Sequence, residues 1–304
     1  MKVLLAIDGS SHADLALDLV ANVRWPDETV IRVAEAVRAH PFGVPWPVPV
    51  TVEADMMEGD LRADAERTLD DARARLERLG LSVESVVLHG RAATAIVDEA
   101  KAMAADLIVV GSRGHGTIES MLLGSVSAEV IDHAPVPVLV ARGHRIGHVI
   151  LAWDGSSCAT RAADLLRMWP IFRGASVRVV AVADVDVPWW TGFPEPGSAE
   201  LMPMYIEAAE ASRKRCGELA QTMVMGLRRA GLQAEVDRRE GDPAAELLSA
   251  ARSPHADLIV LGTHGRTRLA RLVLGSVARN VIRHASCSIL VVREREAAAA
   301  SGAA

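Results

Sequence analysis

One glycine-spaced stretch occurs twice in the chain, and this duplication constrains the fold more than any other feature. The first copy reads Asp106-Leu-Ile-Val-Val-Gly111-Ser-Arg-Gly114 and continues, nine residues later, with Gly124-Ser125. The second copy reads Asp257-Leu-Ile-Val-Leu-Gly262-Thr-His-Gly265 and continues with Gly275-Ser276, at an offset of 151 (262 − 111). Both copies therefore follow the pattern G-x2-G-x9-G-S. A short apolar run that ends in glycine is typical of a buried parallel strand leading to a ligand crevice.

A second pair of matching segments shows that the duplication covers whole domains. Leu4-Leu-Ala-Ile-Asp8-Gly-Ser-Ser11 returns as Ile150-Leu-Ala-Trp-Asp154-Gly-Ser-Ser157, at an offset of 146 (154 − 8). The smaller offset predicts a five-residue insertion in the second copy (151 − 146), which we place around residues 184–203. A repeat of about 150 residues predicts two domains rather than a solenoid. We expect domains at 1–143 and 148–293 and a disordered tail at 294–304.

Within each copy, apolar strand-like runs alternate with segments of helical periodicity. This alternation predicts an α/β fold with parallel strands and helices on both faces of each sheet. Helices are expected at 60–79 and 208–230, each ending before a glycine. Two excursions rich in tryptophan or proline, at 41–49 and 184–203, interrupt the pattern. They are either lids over a ligand or packing between the domains.

The amino-acid composition excludes some classes of binding partner. The net charge is −6 and only three lysines occur, so there is no basic stripe of the kind that binds nucleic acid. No apolar run is long enough to cross a membrane. Cys158, Cys216 and Cys287 lack the spacing of a metal site, which favours reduced thiols. We therefore expect a cytoplasmic protein with neither nucleic acid nor membrane as a partner.

The repeated motifs predict a ligand crevice in each half. In an open parallel sheet, ligands bind beyond the carboxyl ends of the strands, where Asp8 and Gly111, and likewise Asp154 and Gly262, should meet. The glycines allow backbone amides to approach an anion, and a helix that begins there favours negative charge. The alternative for each Asp-Gly-Ser-Ser segment is turn and helix-cap chemistry.

Several motifs of common nucleotide enzymes are missing from the sequence. There is no G-x4-G-K-[S/T] phosphate loop, and no G-x-G-x-x-G follows the first strand. Neither paired carboxylates nor a Ser/His/Asp set is evidently placed for turnover, although folding could assemble one. The sequence therefore favours binding, with slow hydrolysis at most, over an efficient enzyme, and no residue is assigned a catalytic role.

The two motifs together resemble the universal stress protein family in its tandem, ATP-binding form. The resemblance rests on G-x2-G-x9-G-S and on Val136-Pro-Val-Leu-Val140, and it covers nearly the whole chain. It implies two Rossmann-like (adenine nucleotide alpha hydrolase-like) domains, each with a five-stranded parallel sheet of order 3-2-1-4-5. It also implies ATP in each half, with or without Mg, and a nucleotide-linked role in stress response or dormancy. Such domains pair through the last strand, which implies an internal pseudo-dimer and a homodimer.

The resemblance also implies the residues of two nucleotide sites. The aspartates contact adenosine, Ala36 and Val182 form an apolar wall for adenine, and the glycine and serine positions cradle the phosphates. The first site comprises Ala6, Ile7, Asp8, Ala36, Val110, Gly111, Gly114, Gly124, Ser125, Val126 and Ser127. The second comprises Ala152, Trp153, Asp154, Val182, Leu261, Gly262, Gly265, Gly275, Ser276, Val277 and Ala278.

Differences between the copies predict that the two sites are unequal. Ser127 is replaced by Ala278, so the second site lacks a hydroxyl that could donate to a phosphate, and we expect the first to bind the triphosphate more tightly. Trp153 stands where the first copy has Ile7, and its ring could stack on the base and offset this loss. Arg113 becomes His264 and His115 becomes Arg266, so each loop keeps one cation near the phosphates. The rival functions are a slow ATPase or related α/β nucleotide enzyme, and a protein-interaction module without nucleotide.

Overall fold

The computed structural model describes residues 1–37, 52–114, 123–183, 198–252, 256–265 and 274–293. The elements of the first repeat are β1 Lys2–Ile7, α1 Ser11–Asn22, β2 Val30–Val37, α2 Val52–Glu77, β3 Ser82–His89, α3 Ala92–Ala102, β4 Leu107–Gly111, α4 Ser125–His133 and β5 Val138–Ala141. Those of the second are β6 His148–Ala152, α5 Ser157–Met168, a 3-10 turn Pro170–Phe172, β7 Ser176–Ala183, α6 Ser198–Arg229, β8 Gln233–Glu240, α7 Pro243–Arg252, β9 Leu258–Gly262, α8 Ser276–His284 and β10 Ser288–Val292.

The chain divides into two compact units. Unit 2 comprises residues 147–285, and unit 1 comprises residues 1–146 together with the chain from 286 onward, which includes β10. The boundary between the two units lies at 146/147, and the domain bounds 1–143 and 148–293 stay predictions. The last strand of the second repeat is thus packed in unit 1.

Unit 1 contains a sheet of order β3-β2-β1-β4-β5-β10. Strands β1 to β5 are parallel and follow the predicted order 3-2-1-4-5, while β10 runs antiparallel to β5 with Leu290 opposite Leu139. Strands β1 and β4 are almost wholly apolar because helices cover both faces, and Leu4, Leu5 and Ile108 are fully buried. The last strands of the two repeats therefore pair with each other, whereas a homodimer stays a prediction.

Unit 2 repeats the arrangement, with the parallel order β9-β6-β7-β8. Its register matches that of unit 1: Lys2, Val30 and Ser82 stand side by side, as do His148, Ser176 and Gln233. The offset is 146 at β7 (176 − 30) and 151 at β8 (233 − 82). The five extra residues therefore lie between β7 and β8, the interval in which the insertion was predicted.

Two helices begin earlier than predicted. Helix α2 begins at Val52 rather than at 60, and α6 begins at Ser198 rather than at 208, inside the predicted excursion. Helix α6 even includes Pro203, which removes one helical hydrogen bond. Once nucleated, a helix gains one bond for each further residue, so it extends beyond the stretch with apolar periodicity. The predicted excursion at 41–49, residues 184–197 of the second excursion and the predicted tail at 294–304 lie outside the described residues.

The predicted helix ends are confirmed at the glycines. Gly80 and Gly231 follow α2 and α6 with φ of +80° and +85°, the left-handed conformation that glycine adopts without strain. None of the described helices combines the length and apolar character needed to cross a membrane. The parallel strands bring the ends of β1 and β4, and of β6 and β9, to one edge of each sheet.

Candidate functional site

In unit 1, the first aspartate and the glycine loop meet where neighbouring strands end. Asp8 directly follows β1, and β1 pairs with β4 so that Ala6 stands opposite Val110. Asp8 Oδ1 accepts hydrogen bonds from Ser10 N at 3.1 Å and from Ser10 Oγ at 2.6 Å. Ser10 Oγ also accepts a bond from Ala13 N at 3.3 Å and so caps α1. Turn and cap chemistry is therefore present, and it fixes the carboxylate at the edge of the crevice.

The loop requires glycine because neighbouring atoms lie where a Cβ atom would be, and not because the backbone adopts a left-handed conformation. A Cβ atom on Gly111 would lie 2.7 Å from the carbonyl oxygen of His12 in the first turn of α1. A Cβ atom on Gly114 would collide with Asp8 Oδ2. The second oxygen of Asp8 thus lies directly against the loop, as the sequence predicted for a shared crevice.

The two described ends of the first loop are pinned together. Gly124 N donates to Ser112 O at 2.7 Å, and Ser127 Oγ donates to Gly111 O at 2.7 Å. Ser127 is 5% exposed. Its bond uses the only proton of the hydroxyl, so that proton is not available to a phosphate. The structure thereby removes the basis for predicting tighter triphosphate binding at the first site.

Helix α4 begins at this point without a side-chain cap. Its N-cap residue is Gly124, which makes no side-chain cap hydrogen bond, in contrast to the Ser10 cap of α1. Ser125 is exposed and Val126 is half-buried. The first amides of α4 therefore carry a partial positive charge that the N-cap residue does not satisfy with a side chain.

Unit 2 builds the same crevice. Asp154 Oδ1 accepts from Ser156 N at 2.9 Å, and a Cβ atom on Gly265 would lie 2.9 Å from Asp154 Oδ2. A Cβ atom on Gly262 would lie 2.5 Å from Cys158 Cβ. Gly275 N donates to Thr263 O at 2.8 Å, and Gly275 caps α8 without a side-chain bond.

The remaining predicted residues lie around these contacts. The buried residues among them are Ala6, Ile7, Val110, Trp153, Leu261 and Ala278. Ala152 and Val277 are half-buried, and Ser276 is exposed. Ala36 follows Glu35, the partner of Ile7, so it stands level with Asp8, and Val182 occupies the equivalent place in β7; both are half-buried. His115 and Arg266 lie outside the described residues.

Two basic residues at the first crevice, Arg142 and His12, were not predicted from the sequence. Arg142 directly follows β5, and burial lowers the pKa of its guanidinium to about 10; the charge of Cys287 acts in the opposite direction, and the charge of Arg113 lowers the pKa by a smaller amount. Burial, followed by the charge of Arg113, also lowers the pKa of His12, while Asp8 raises it. The pKa values show that Arg113 acts on both groups. The one signal in the sequence that places Arg142 at the crevice is its position at the end of strand five.

In unit 2, two buried ring nitrogens lack hydrogen-bond partners within the described part of the chain. Trp153 is 7% exposed, and its Nε1 is buried without an acceptor. His264 Nδ1 contacts Thr263 Oγ1 at 3.0 Å, but its Nε2 is buried without a partner. Both residues adjoin the crevice, one before Asp154 and the other before Gly265. An unsatisfied buried polar group costs about 1–3 kcal/mol, so both atoms would gain from a ligand that offers a partner.

A model of the universal stress protein family matches residues 1–142 and again residues 145–293. The chain belongs to the universal stress protein family. A universal stress protein of Mycolicibacterium smegmatis is 28% identical over 306 residues, covering 96% of this chain and 97% of the relative. One of Methanocaldococcus jannaschii is 34% identical over 147 residues, covering 48% of this chain and 81% of the relative.

The fold of this universal stress protein also matches that of a solved relative. The crystal structure of a universal stress protein from Archaeoglobus fulgidus aligns with a TM-score of 0.66 at 20% identity, covering 97% of this chain and 98% of that chain. The full coverage of both chains confirms the tandem α/β architecture.

Ser127→Ala is expected to lower the free energy of unfolding by about 1–3 kcal/mol, because it leaves the buried Gly111 carbonyl without its partner. The reciprocal change Ala278→Ser should add a bond to Gly262 O and lower stability little, since Ala278 occupies the matching helix position. Urea unfolding of both variants measures the difference. A Ser127→Ala protein as stable as wild type but weaker in ATP binding would contradict this assignment and restore the phosphate role of the hydroxyl.

Proposed function

We propose that each half of this universal stress protein binds one ATP molecule, with or without Mg, and that nucleotide occupancy is the signal of a stress or dormancy regulator. The observation that carries the proposal is the repeated helix start. In both units a helix with a glycine N-cap and no side-chain cap follows a glycine loop that lies against an aspartate. A helix N-terminus of this kind favours phosphate.

In the first site, the phosphates would lie between the amides of α4 and the basic group formed by His12, Arg113 and Arg142. Burial, followed by the charge of Arg113, lowers the pKa of His12, and burial lowers the pKa of Arg142. A bound polyanion would offset the cost of burying the positive charge of Arg142. This arrangement favours a charged phosphate chain over a neutral ligand.

The adenosine would lie on the aspartate side of each crevice. Asp8 and Asp154 are held by the amides of Ser10 and Ser156, so each carboxylate is oriented before a ligand arrives. A fixed carboxylate suits a ribose hydroxyl or the adenine amino group, both of which donate. In the second site, the buried Trp153 and His264 nitrogens would find partners on the nucleotide. The half-buried Ala36 and Val182 would form the apolar wall.

Titration calorimetry with ATP is expected to give about two molecules per chain, and about one for each of the variants Asp8→Ala and Asp154→Ala. Removal of either carboxylate eliminates an oriented acceptor from one site and leaves the other intact. At a hundredfold excess over the dissociation constant, ATP should stabilise the wild-type fold by about 2.7 kcal/mol per site. Absence of both heat and thermal stabilisation at millimolar ATP would refute the proposal.

A further inference from the structure

The end of the second repeat supplies side chains to the domain that contains the first crevice. Strand β10 runs antiparallel to β5 in unit 1, with Val291 opposite Val138. By continuation of this register, Arg293 stands level with Val136, in the connection between α4 and β5. The first residue after β10 is therefore placed beside the end of the helix that begins at the first glycine loop.

The side chain of Arg293 caps the end of α4. Its Nη2 donates to Ile131 O at 2.6 Å and also to Asp132 O. The last four carbonyl groups of a helix have no partner within the helix. In α4, Val130 O accepts from Ala134 N at 2.8 Å, and Arg293 is the donor for the next two carbonyl groups. A positive charge at this end also stabilises the negative end of the helix dipole.

The other end of α4 forms the phosphate side of the proposed first site. The helix has nine residues, so its two ends are only about 13 Å apart. At its start, Gly124 N donates to Ser112 O and Ser127 Oγ donates to Gly111 O, both at 2.7 Å. Because so short a helix moves as a rigid rod, release of its last turn would let its first turn tilt against the glycine loop.

A second residue of β10 bonds the backbone beside the first crevice. Ser288 is fully buried, and its Oγ accepts a hydrogen bond from Arg142 N at 3.1 Å. The equivalent position in the first repeat is Pro137 (288 − 151), which has no hydroxyl. The second repeat therefore supports the first at this position, and the first repeat has no side-chain acceptor with which to make the equivalent bond.

We propose that Arg293 and Ser288 are positioning residues of the first nucleotide site, so that the end of the second repeat sets the ATP affinity of the first. The inference rests on the proposed function of the first crevice. Arg293 acts through α4, at whose start the phosphates would lie. Ser288 acts through Arg142, which belongs to the basic group on the other side of the phosphates. Neither contact involves a residue of unit 2.

The test measures ATP binding at each site separately by calorimetry, with Asp154→Ala to isolate the first site and Asp8→Ala to isolate the second. With the first site isolated, Arg293→Met should weaken ATP binding about fivefold, and Arg293→Met/Ser288→Ala about tenfold or more. Arg293→Lys keeps the positive charge at the helix end and should recover most of the affinity. With the second site isolated, Arg293→Met/Ser288→Ala should bind ATP as tightly as the chain without these two changes.

Ile289→Val is the matched control, because it shortens a fully buried side chain of β10 and removes neither hydrogen bond. It should leave the ATP affinity of the first site unchanged. A second measurement separates positioning from general stabilisation. Ala128 N donates to Gly124 O in the first turn of α4, and its hydrogen exchange without nucleotide should be faster in Arg293→Met than in Ile289→Val.

Unchanged ATP affinity of the first site in Arg293→Met/Ser288→Ala would overturn the proposal. So would an equal loss at both sites, or an equal loss in the Ile289→Val control. If neither isolated site binds ATP, the proposed function fails. In that case the exchange of the Ala128 amide still decides the separate point: equal rates in Arg293→Met and Ile289→Val would show that Arg293 does not position the start of α4.

Discussion

Gly114→Ala is expected to abolish ATP binding at the first site, with a loss of affinity of at least about a hundredfold, equivalent to roughly 2.7 kcal/mol. The new methyl group would occupy the position of Asp8 Oδ2, so the carboxylate or the loop must move. Movement of the carboxylate breaks the bonds from Ser10 that orient Asp8, and movement of the loop displaces the phosphate cradle. In either case one half of the proposed ATP site is lost. Calorimetry should show the stoichiometry fall from two to one.

The second repeat offers a graded comparison. In Gly265→Ala the methyl group would lie 2.9 Å from Asp154 Oδ2, a milder clash, so a smaller loss of affinity is expected there. Gly59→Ala is the matched control, since no atom lies within 4 Å of its Cβ position on the exposed side of α2. It should leave ATP binding unchanged and stabilise the helix by about 0.5–1 kcal/mol. Undiminished binding by Gly114→Ala at both sites would disprove the assignment of the crevice.

Gly111→Ala and Gly262→Ala are expected to lower the free energy of unfolding by about 2–3 kcal/mol each, the upper part of the range for overpacked cores. The methyl group of the first would lie 2.7 Å from a backbone carbonyl of α1, and that of the second 2.5 Å from Cys158 Cβ. Backbone and Cβ atoms cannot turn aside as the end of a flexible side chain can. The helix must therefore move away from the strand. Chemical denaturation at equilibrium measures this loss.

Gly143→Ala provides the comparison for these two substitutions, because the nearest atom to its Cβ position is Ser288 Oγ at 4.0 Å. Its effect should stay within about 0.5 kcal/mol of wild type, as for most surface changes. If Gly262→Ala unfolds at the same denaturant concentration as Gly143→Ala, the close packing of α5 on β9 is not what requires glycine at this position.

The topology could be predicted because it rests on local patterns that occur twice. Apolar runs that end in Asp8 and Gly111 place both residues at one edge of a parallel sheet, and the structure confirms that they end neighbouring strands. The direction of a single hydrogen bond could not be predicted in this way. Ser127 has the residue type of a phosphate ligand, but only the fold shows that it donates to Gly111.

Contacts between residues that are far apart in the sequence could not be predicted from it either. Arg142 and His12 are separated by 130 residues (142 − 12), and no motif connects them. They come together because β5 lies beside β4, the strand against which α1 packs.

Strand β10 makes the repeat boundary unsuitable as a place to cut the chain. It is encoded at the end of the second repeat but pairs with β5 in unit 1. A fragment that ends at the junction would leave β5 with an open row of amide and carbonyl groups, and such an edge recruits strands from other molecules. During synthesis, the first repeat must therefore wait for the last residues of the second before its sheet is closed.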